Sequence, residues 1–131
     1  MSKLLLDSNV IINYLLDRVS TVKLIKELVY SGENLSTSVI CVSEIQVGVR
    51  EDEKEKTDLF FNSIEIFDIN YEISRIGAFY VSQYKKKGYT LNLLDCLIAA
   101  TCVLNNIVLV TYNIEHFSIP ELKLYDIKNY L

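Results

Sequence analysis

The stretch LLLDSNVIINYL, residues 4 to 15, decides the fold, because a buried strand and a helix meet in it at a carboxylate. Residues 3 to 6, KLLL, form a short continuous apolar run, which is typical of a strand buried on both faces. The apolar residues from position 10 to position 16 fit a buried helix instead. Asp7 stands between the two segments, where a charge is costly unless a nearby group requires it. The stretch therefore predicts a β–α unit with an acid at the carboxyl end of the strand.

Two other acids stand in equally apolar surroundings: Glu44 in CVSEIQVGV and Asp95 in LNLLDCLIAA. Two of the three acids have a structural explanation, because Asp7 suits the N-cap of the following helix and Asp95 suits a capping box. Glu44 is expected in mid-helix, partly buried, with no Lys or Arg three or four positions away. Such a carboxylate is costly to bury. Together the three acids indicate a shared purpose.

Composition and charge narrow the class of protein. With 131 residues, 50% of them hydrophobic, the chain is expected to form one domain, residues 1 to 131. The formal net charge of −4 argues against a broad basic surface for nucleic acid. Neither a signal-peptide core nor a membrane span is predicted, so we expect a cytoplasmic protein. The three cysteines lack C-x-x-C spacing and are expected to be reduced core thiols: Cys41, Cys96 and Cys102.

Short apolar segments alternate with helical patterns along the chain. Strands are predicted at residues 3–6, 64–69, 107–110 and 122–127, and helices at 10–16, 21–30, 71–87 and 92–105. A further helix is predicted to end at about Val49, with Ser36, Thr37 and Ser38 as its N-cap candidates. REDEKEKTD, residues 50 to 58, is expected to be a charged surface helix or loop. This order predicts an α/β fold, with a parallel sheet between helical layers. Ligands in such folds bind at the carboxyl ends of the strands, which are followed here by Asp7, Thr111 and Asn113.

Carboxylates gathered at one edge of a sheet would repel one another unless a cation lay between them. Oxygen ligands without a supporting His or Cys favour Mg²⁺ or Mn²⁺ over zinc. Water bound to such an ion can attack a phosphodiester while the ion stabilises charge on the phosphoryl oxygens. The residues therefore predict a metal-dependent hydrolase acting on a phosphate ester.

The chain resembles the PIN-domain ribonucleases, and among them the toxins of VapBC-type toxin–antitoxin pairs. The resemblance rests on LLLDSNVIINYL, STSVICVSEIQVGV and LNLLDCLIAATCVLNNIVLVTYNIEHF, each of which holds one of the three acids. It implies a three-layer α/β/α sandwich with a central, mostly parallel sheet of four to five strands, and RNA cleavage with Mg²⁺ or Mn²⁺. It also implies a homodimer and a VapB-like antitoxin whose C-terminal segment blocks the site.

The resemblance assigns roles to individual residues. The implied catalytic and metal-binding acids are Asp7, Glu44 and Asp95. Asn9 and Thr111 would orient the Asp7 carboxylate. Asn113 stands where many relatives carry a fourth acid, and it offers a metal only an uncharged amide oxygen. A second metal ion would therefore be held less well than in those relatives.

Two segments and the function itself keep alternative interpretations. Lys85, Lys86 and Lys87 precede Gly88 at the end of a predicted helix. There they either stabilise the helix through its dipole or contact RNA phosphates. His116 is expected in a short helical turn that packs Phe117 on the core, with action on a phosphate as the alternative. The competing function is a catalytically inactive PIN-fold module that binds RNA or another protein.

Overall fold

Four parallel strands form the centre of the structure, a computed structural model that describes residues 3 to 131. The strands are β1 (Lys3–Leu6), β2 (Asn34–Ser38), β3 (Glu65–Phe67) and β4 (Val108–Val110). They pair in the order β3-β2-β1-β4, and every pair is parallel. Met1 and Ser2, which begin the predicted domain, lie outside the described residues.

Helices cover both faces of this sheet. They are α1 (Ser8–Leu15), α2 (Val19–Tyr30), α3 (Val39–Gly48), α4 (Lys54–Asn62), α5 (Tyr71–Lys86) and α6 (Leu93–Asn105). Strand β1 contributes side chains to two separate hydrophobic cores, because alternate side chains of a strand point to opposite faces. Leu5 packs with residues of α5 and α6, whereas Leu4 and Leu6 pack with residues of α1, α2 and α4. The predicted α/β/α sandwich with a parallel central sheet is confirmed.

The register of β1 and β4 brings distant polar residues to one edge. Leu6 is paired with Val110, and the Asp7 backbone N–H donates to the Val110 carbonyl at 2.9 Å. Asp7 and Thr111 therefore leave the carboxyl ends of neighbouring strands side by side. Strand β2 ends at the same edge, where Ser38 caps the N-terminus of α3 through its side chain.

Strand β2, with the sequence NLSTS, was not predicted, because its polar residues suggested only a helix cap. In the structure Ser36 and Thr37 are fully buried. Their hydroxyls donate to the carbonyls of Leu4 and Leu6 in β1, each at 2.8 Å. Buried hydroxyls satisfied in this way fit the interior of a sheet. Ser38, one of the three N-cap candidates that the sequence offers, is the cap of α3.

The predicted last strand, residues 122–127, is wrong as a strand. The segment meets β4 only through an isolated parallel bridge between Leu109 and Leu124. Two backbone hydrogen bonds hold it there, from Leu109 to Lys123 and from Tyr125 to Leu109. The sheet therefore has four strands, at the lower end of the expected range.

Helices α5 and α6 pack closely at Gly77. A Cβ atom at this position would lie 2.7 Å from Leu97 Cδ2 and 3.3 Å from Leu97 Cα. The glycine thus allows α6 to approach α5, and α6 carries Asp95 in its first turn. Within residues 3–131, no helix is long and apolar enough to cross a membrane.

Candidate active site

Asp7 is the most buried acid at the carboxyl edge of the sheet, with 4% of its surface exposed. Its Oδ1 accepts a hydrogen bond from the Ser8 backbone N–H at 2.8 Å, as an N-cap does. Its Oδ2 accepts from Thr111 Oγ1 at 2.8 Å and from Asn9 Nδ2 at 3.3 Å. Asp7 is therefore both the cap of α1 and a carboxylate oriented from two sides.

Asn9 ties the segment after β4 to helix α1. Its Oδ1 accepts from the Tyr112 backbone N–H at 3.0 Å, and its Nδ2 lies 3.2 Å from Thr111 Oγ1. Thr111 Oγ1 also accepts from the Asn113 backbone N–H at 3.0 Å. Asn113 is exposed, and it enters this network through its backbone N–H.

Glu44 lies in the middle of α3 as predicted, but it is exposed rather than partly buried. The inference that its burial must be costly was therefore wrong. Its Oε1 accepts a hydrogen bond of 2.5 Å from Ser8 Oγ. Since Ser8 directly follows Asp7, this bond links the two acids through one residue. Ser8 was missed in the sequence, where only its place next to Asp7 could have drawn attention to it.

Asp95 occupies the first turn of α6 and keeps 25% of its side chain exposed. The cap of this helix is Asn92, whose Oδ1 accepts from the backbone N–H groups of Leu94 and Asp95. The Asp95 carboxylate turns toward His116, with 3.6 Å between Oδ2 and Nδ1. The short helical turn expected around His116 is present, and Phe117 is buried.

The three acids share one electrostatic environment. Burial raises the pKa of Asp95, and the negative charges of Asp7 and Glu44 raise it further, while His116 opposes the shift. One carboxylate oxygen of Asp7 and one of Glu44 lie within 4.8 Å of each other, in a cluster that also contains the sulfur of Cys41. In the part of the chain described, Asp95 stands beside this cluster rather than in it.

Cys41 is the third member of the cluster, and the sequence pattern did not indicate it. Its Sγ lies 3.8 Å from Asp7 Oδ1, and the residue is fully buried. Burial and the Asp7 charge raise the pKa of the thiol to about 11, so that it is protonated at neutral pH. The expected reduced thiol is present, yet it faces the acids. The i,i+3 spacing to Glu44 is the one sequence signal that could have revealed this.

The donor set fits a hard divalent cation. Among residues 3–131, neither Asp7 nor Glu44 forms an ion pair with a Lys or Arg side chain. Burial is the main cause of the raised pKa of Asp95, and the negative charges of Asp7 and Glu44 add to it. Carboxylate oxygens held by uncharged donors are the ligands that Mg²⁺ and Mn²⁺ prefer. Asp7 and Glu44 would hold such an ion, with Asp95 at its side.

The predicted basic segment lies at the end of α5. The side chains of Lys85, Lys86 and Lys87 are all exposed. The helix end is anchored near the acids, because Tyr84 Oη donates to the Ser118 carbonyl at 2.7 Å, two residues beyond His116. This position is compatible both with stabilisation of the helix dipole and with contact to RNA phosphates.

Two cavities flank the sheet. A groove of about 410 Å³ runs from Glu44 between α1, α3 and α4. A larger cavity of about 740 Å³ lies at the opposite edge, where Lys3, Asn34 and Glu65 begin three of the strands. Since ligands of parallel α/β sheets bind at the carboxyl edge, the smaller groove is the one associated with the acids.

Comparison with known proteins identifies the family. The PIN domain family matches residues 4–122. Ribonuclease VapC19 of Mycobacterium tuberculosis is 29% identical over 120 residues, which cover 91% of this chain and 96% of the relative. Ribonuclease VapC2 of Rickettsia felis is 30% identical over 102 residues, covering 73% and 76%. The solved structure of VapBC2 from Rickettsia felis bound to a promoter DNA fragment gives a TM-score of 0.82 at 25% identity, over 94% of this chain and 97% of that one. The edge that gathers Asp7, Glu44 and Asp95 is thus part of a PIN domain, and the chain belongs to the PIN domain family.

Proposed function

We propose that this chain is a Mg²⁺- or Mn²⁺-dependent endoribonuclease and the toxin of a VapBC-type toxin–antitoxin pair. The observation that carries the proposal is the convergence of Asp7 and Glu44 at the carboxyl edge of the sheet, with Asp95 within their electrostatic reach. The relatives named ribonucleases VapC19 and VapC2 support RNA as the substrate.

The proposed metal ligands are held by different means. Asp7 is oriented by Ser8, Asn9 and Thr111, so its carboxylate has little freedom left to lose when an ion binds. Glu44 is exposed and is positioned by the Ser8 hydroxyl. When bound, the cation supplies an activated water and stabilises negative charge on the phosphoryl oxygens.

Asp95 completes the proposed ligand set from α6, and its carboxylate is partly buried beside the others. Burial and then repulsion by Asp7 raise its pKa, and a cation would offset both by its positive charge. Asn113 offers no charge, and it meets the network through its backbone. We therefore propose one well-held ion per site rather than two.

A VapB-like antitoxin is the proposed partner, and the groove beside Glu44 supports it. Its apolar wall is formed by residues of α1 and α3, among them Ile12, Leu15 and Ile45. Arg50 and Lys56 add charge to the rim. An amphipathic segment lying here would cover Glu44 and close the site to RNA. By resemblance to the same toxins we also propose a homodimer, which light scattering would test.

The test of the proposed activity is RNA cleavage by the purified chain with Mg²⁺, with Mn²⁺ and with EDTA. We expect cleavage only with metal, and loss of cleavage in Asp7→Asn and Asp95→Asn. Asp126→Asn removes an exposed acid near the C-terminus and serves as the matched control. A wild-type protein that binds RNA without cutting it, with or without metal, would support the inactive-module alternative instead.

A further inference from the structure

The thiol of Cys41 points into the centre that is proposed to bind metal. One donor atom each of Asp7, Cys41 and Glu44 lies within 4.8 Å of the other two. Cys41 and Glu44 are three residues apart on α3, so both face the end of β1 from one side of that helix. The proposed Mg²⁺ chemistry uses only the oxygen atoms of this group and leaves the sulfur without a role.

We propose that Cys41 supplies a sulfur ligand to thiophilic divalent cations of the zinc and cobalt class, which compete with Mg²⁺ for Asp7 and Glu44. The inference rests on the proposed metal centre and adds a choice of metal to it. Thiolate is a ligand that selects softer ions, whereas carboxylate oxygens suit Mg²⁺ and Mn²⁺. The centre would therefore offer two ligand sets, one of carboxylate oxygens alone and one that adds the Cys41 sulfur.

The spacing of the donor atoms fits such an ion. Zinc–sulfur and zinc–oxygen bonds of about 2.3 and 2.1 Å at a tetrahedral angle place the two donors roughly 3.6 Å apart. The Cys41 Sγ to Asp7 Oδ1 distance is 3.8 Å. The 4.8 Å limit of the whole group leaves the exposed Glu44 a short movement to make. Mg²⁺ has no such use for the sulfur, because it keeps oxygen ligands and several waters.

Binding of the sulfur is a proton exchange and not a redox step. The Cys41 S–H bond breaks, its proton passes to solvent water, and the sulfur keeps the electron pair that it donates to the cation. A bound divalent cation deprotonates a coordinating thiol even where the surroundings favour the neutral form. In the metal-free protein the same thiol donates weakly to Asp7 Oδ1.

The other two cysteines provide matched controls. Cys96 is buried and follows Asp95 directly in the chain, so it also has an acid as its neighbour. Cys102 is buried six residues further along α6. In the described residues neither belongs to the Asp7–Glu44 cluster. A signal that arises from any buried thiol would be reduced to a similar extent in all three serine variants, since each variant keeps two of the three thiols.

The experiment is a Co²⁺ titration of the full, reduced chain, followed by absorption spectroscopy and calorimetry. We expect a sulfur-to-cobalt charge-transfer band in wild type, Cys96→Ser and Cys102→Ser, and its loss in Cys41→Ser. The Co²⁺ affinity of Cys41→Ser should fall by about tenfold or more, a loss comparable to removal of a positioning group around a metal. Its Mg²⁺ affinity should change less than its Co²⁺ affinity, since Mg²⁺ does not use the sulfur. Cys41→Ala is the second variant, used if the buried serine hydroxyl prevents folding.

The outcomes separate the two proposals. Co²⁺ binding without the charge-transfer band, or an unchanged band in Cys41→Ser, overturns the sulfur ligand and leaves the oxygen-bound metal centre in place. Failure of Co²⁺, Mn²⁺ and Mg²⁺ to bind overturns the proposed metal-dependent function and the sulfur ligand together. Loss of the band in Cys41→Ser alone establishes the assignment.

Discussion

Thr111 and Asp7 are 104 residues apart in the chain and are joined by a hydrogen bond of 2.8 Å from Oγ1 to Oδ2. Both side chains are buried, so water cannot replace this donor readily. Hydrogen bonds to charged groups contribute about 1.5–3 kcal/mol, more than bonds between neutral groups. The pair therefore connects the stability of the fold with the orientation of the proposed metal ligand.

Thr111→Val tests this connection. The near-isosteric change removes the donor to Asp7 and the acceptor for the Asn113 N–H. We expect a loss of about 1.5–3 kcal/mol in unfolding free energy and a 10- to 100-fold weaker affinity for Mn²⁺, roughly the effect known for such positioning groups. Thr101→Val is the control, since Thr101 is buried and donates to a carbonyl of its own helix. Equal loss of Mn²⁺ affinity in both variants would contradict the assignment.

Ser8→Ala separates positioning from stability. Ser8 Oγ holds Glu44 Oε1, and Glu44 is exposed, so the unfolding free energy should change by less than about 1 kcal/mol. RNA cleavage and Mn²⁺ affinity should fall nonetheless, because Glu44 is then free to leave the site. Ser43→Ala removes an exposed serine adjacent to Glu44 and should retain both properties. Denaturant unfolding and Mn²⁺ titration give the two readouts.

Asp95→Asn should stabilise the metal-free protein in a pH-dependent manner. The pKa of Asp95 is raised in the folded state, mainly by burial and then by Asp7. Below the ordinary pKa of an aspartate, the carboxyl is protonated in both the folded and the unfolded state, so Asp95 has no effect on the unfolding free energy. Between that pKa and the raised pKa the unfolded state ionises first, which lowers the stability of wild type. The variant should therefore gain on wild type between these pH values and keep that advantage at neutral pH.

Added metal should make wild type more stable than Asp95→Asn. Mn²⁺ at about 100 times its dissociation constant stabilises a protein that binds it by roughly 2.7 kcal/mol. Wild type should gain this stability and Asp95→Asn should gain little of it. Thermal unfolding across pH, with and without Mn²⁺, measures both effects. A variant that is less stable than wild type in EDTA at neutral pH would show that Asp95 is balanced by its surroundings, for example by His116.

The three lysines at the end of α5 are distinguished by salt dependence. Replacing Lys85, Lys86 and Lys87 with alanine should weaken RNA binding and reduce the steepness of its dependence on salt, since each phosphate contact releases counterions. A pure helix-dipole role would instead lower unfolding free energy by about 0.3–1 kcal/mol per charge and leave RNA affinity unchanged. The double variant Lys23→Ala/Lys26→Ala on α2 is the control for loss of exposed charge.

Gly77→Ala should destabilise the fold, although alanine favours a helix by about 1 kcal/mol over glycine. The added Cβ would meet Leu97 Cδ2 and Cα, so α5 and α6 must separate. Overpacking of this kind costs about 1–3 kcal/mol. Gly48→Ala, with no neighbour within 4 Å, should be neutral or stabilising. The two midpoints of denaturant unfolding decide the question, and a more stable Gly77→Ala would mean that Leu97 moves aside freely.

The sequence predicts well those parts of the fold that depend on apolar periodicity. Strands β1, β3 and β4 and helices α1, α2, α3, α5 and α6 follow from it. Strand β2 does not, because it is buried with hydroxyl groups whose partners are carbonyls of β1, and no local pattern reveals a partner about 30 residues away. The segment 122–127 fails for the opposite reason, since its β-like pattern forms only one bridge with β4.

The site also contains residues that the sequence indicates and residues that it does not. The apolar surroundings of Asp7, Glu44 and Asp95 single out the acids, yet the burial expected of Glu44 is absent. Its neighbours on the helix are apolar without enclosing it. The Cys41 thiol and the Ser8 hydroxyl escape prediction because their meaning lies in the approach of α3 to α1, which is set by tertiary packing.

The separation of Asp7 from Thr111 has a consequence for synthesis of the chain. Asp7 is synthesised more than a hundred residues before Thr111 and the strand that precedes it. Strand β1 lies between β2 and β4, so its position is completed only when β4 docks against it. A chain that ends before β4 therefore lacks the Thr111 hydrogen bond to Asp7, and the proposed metal centre is complete only after β4 has been synthesised.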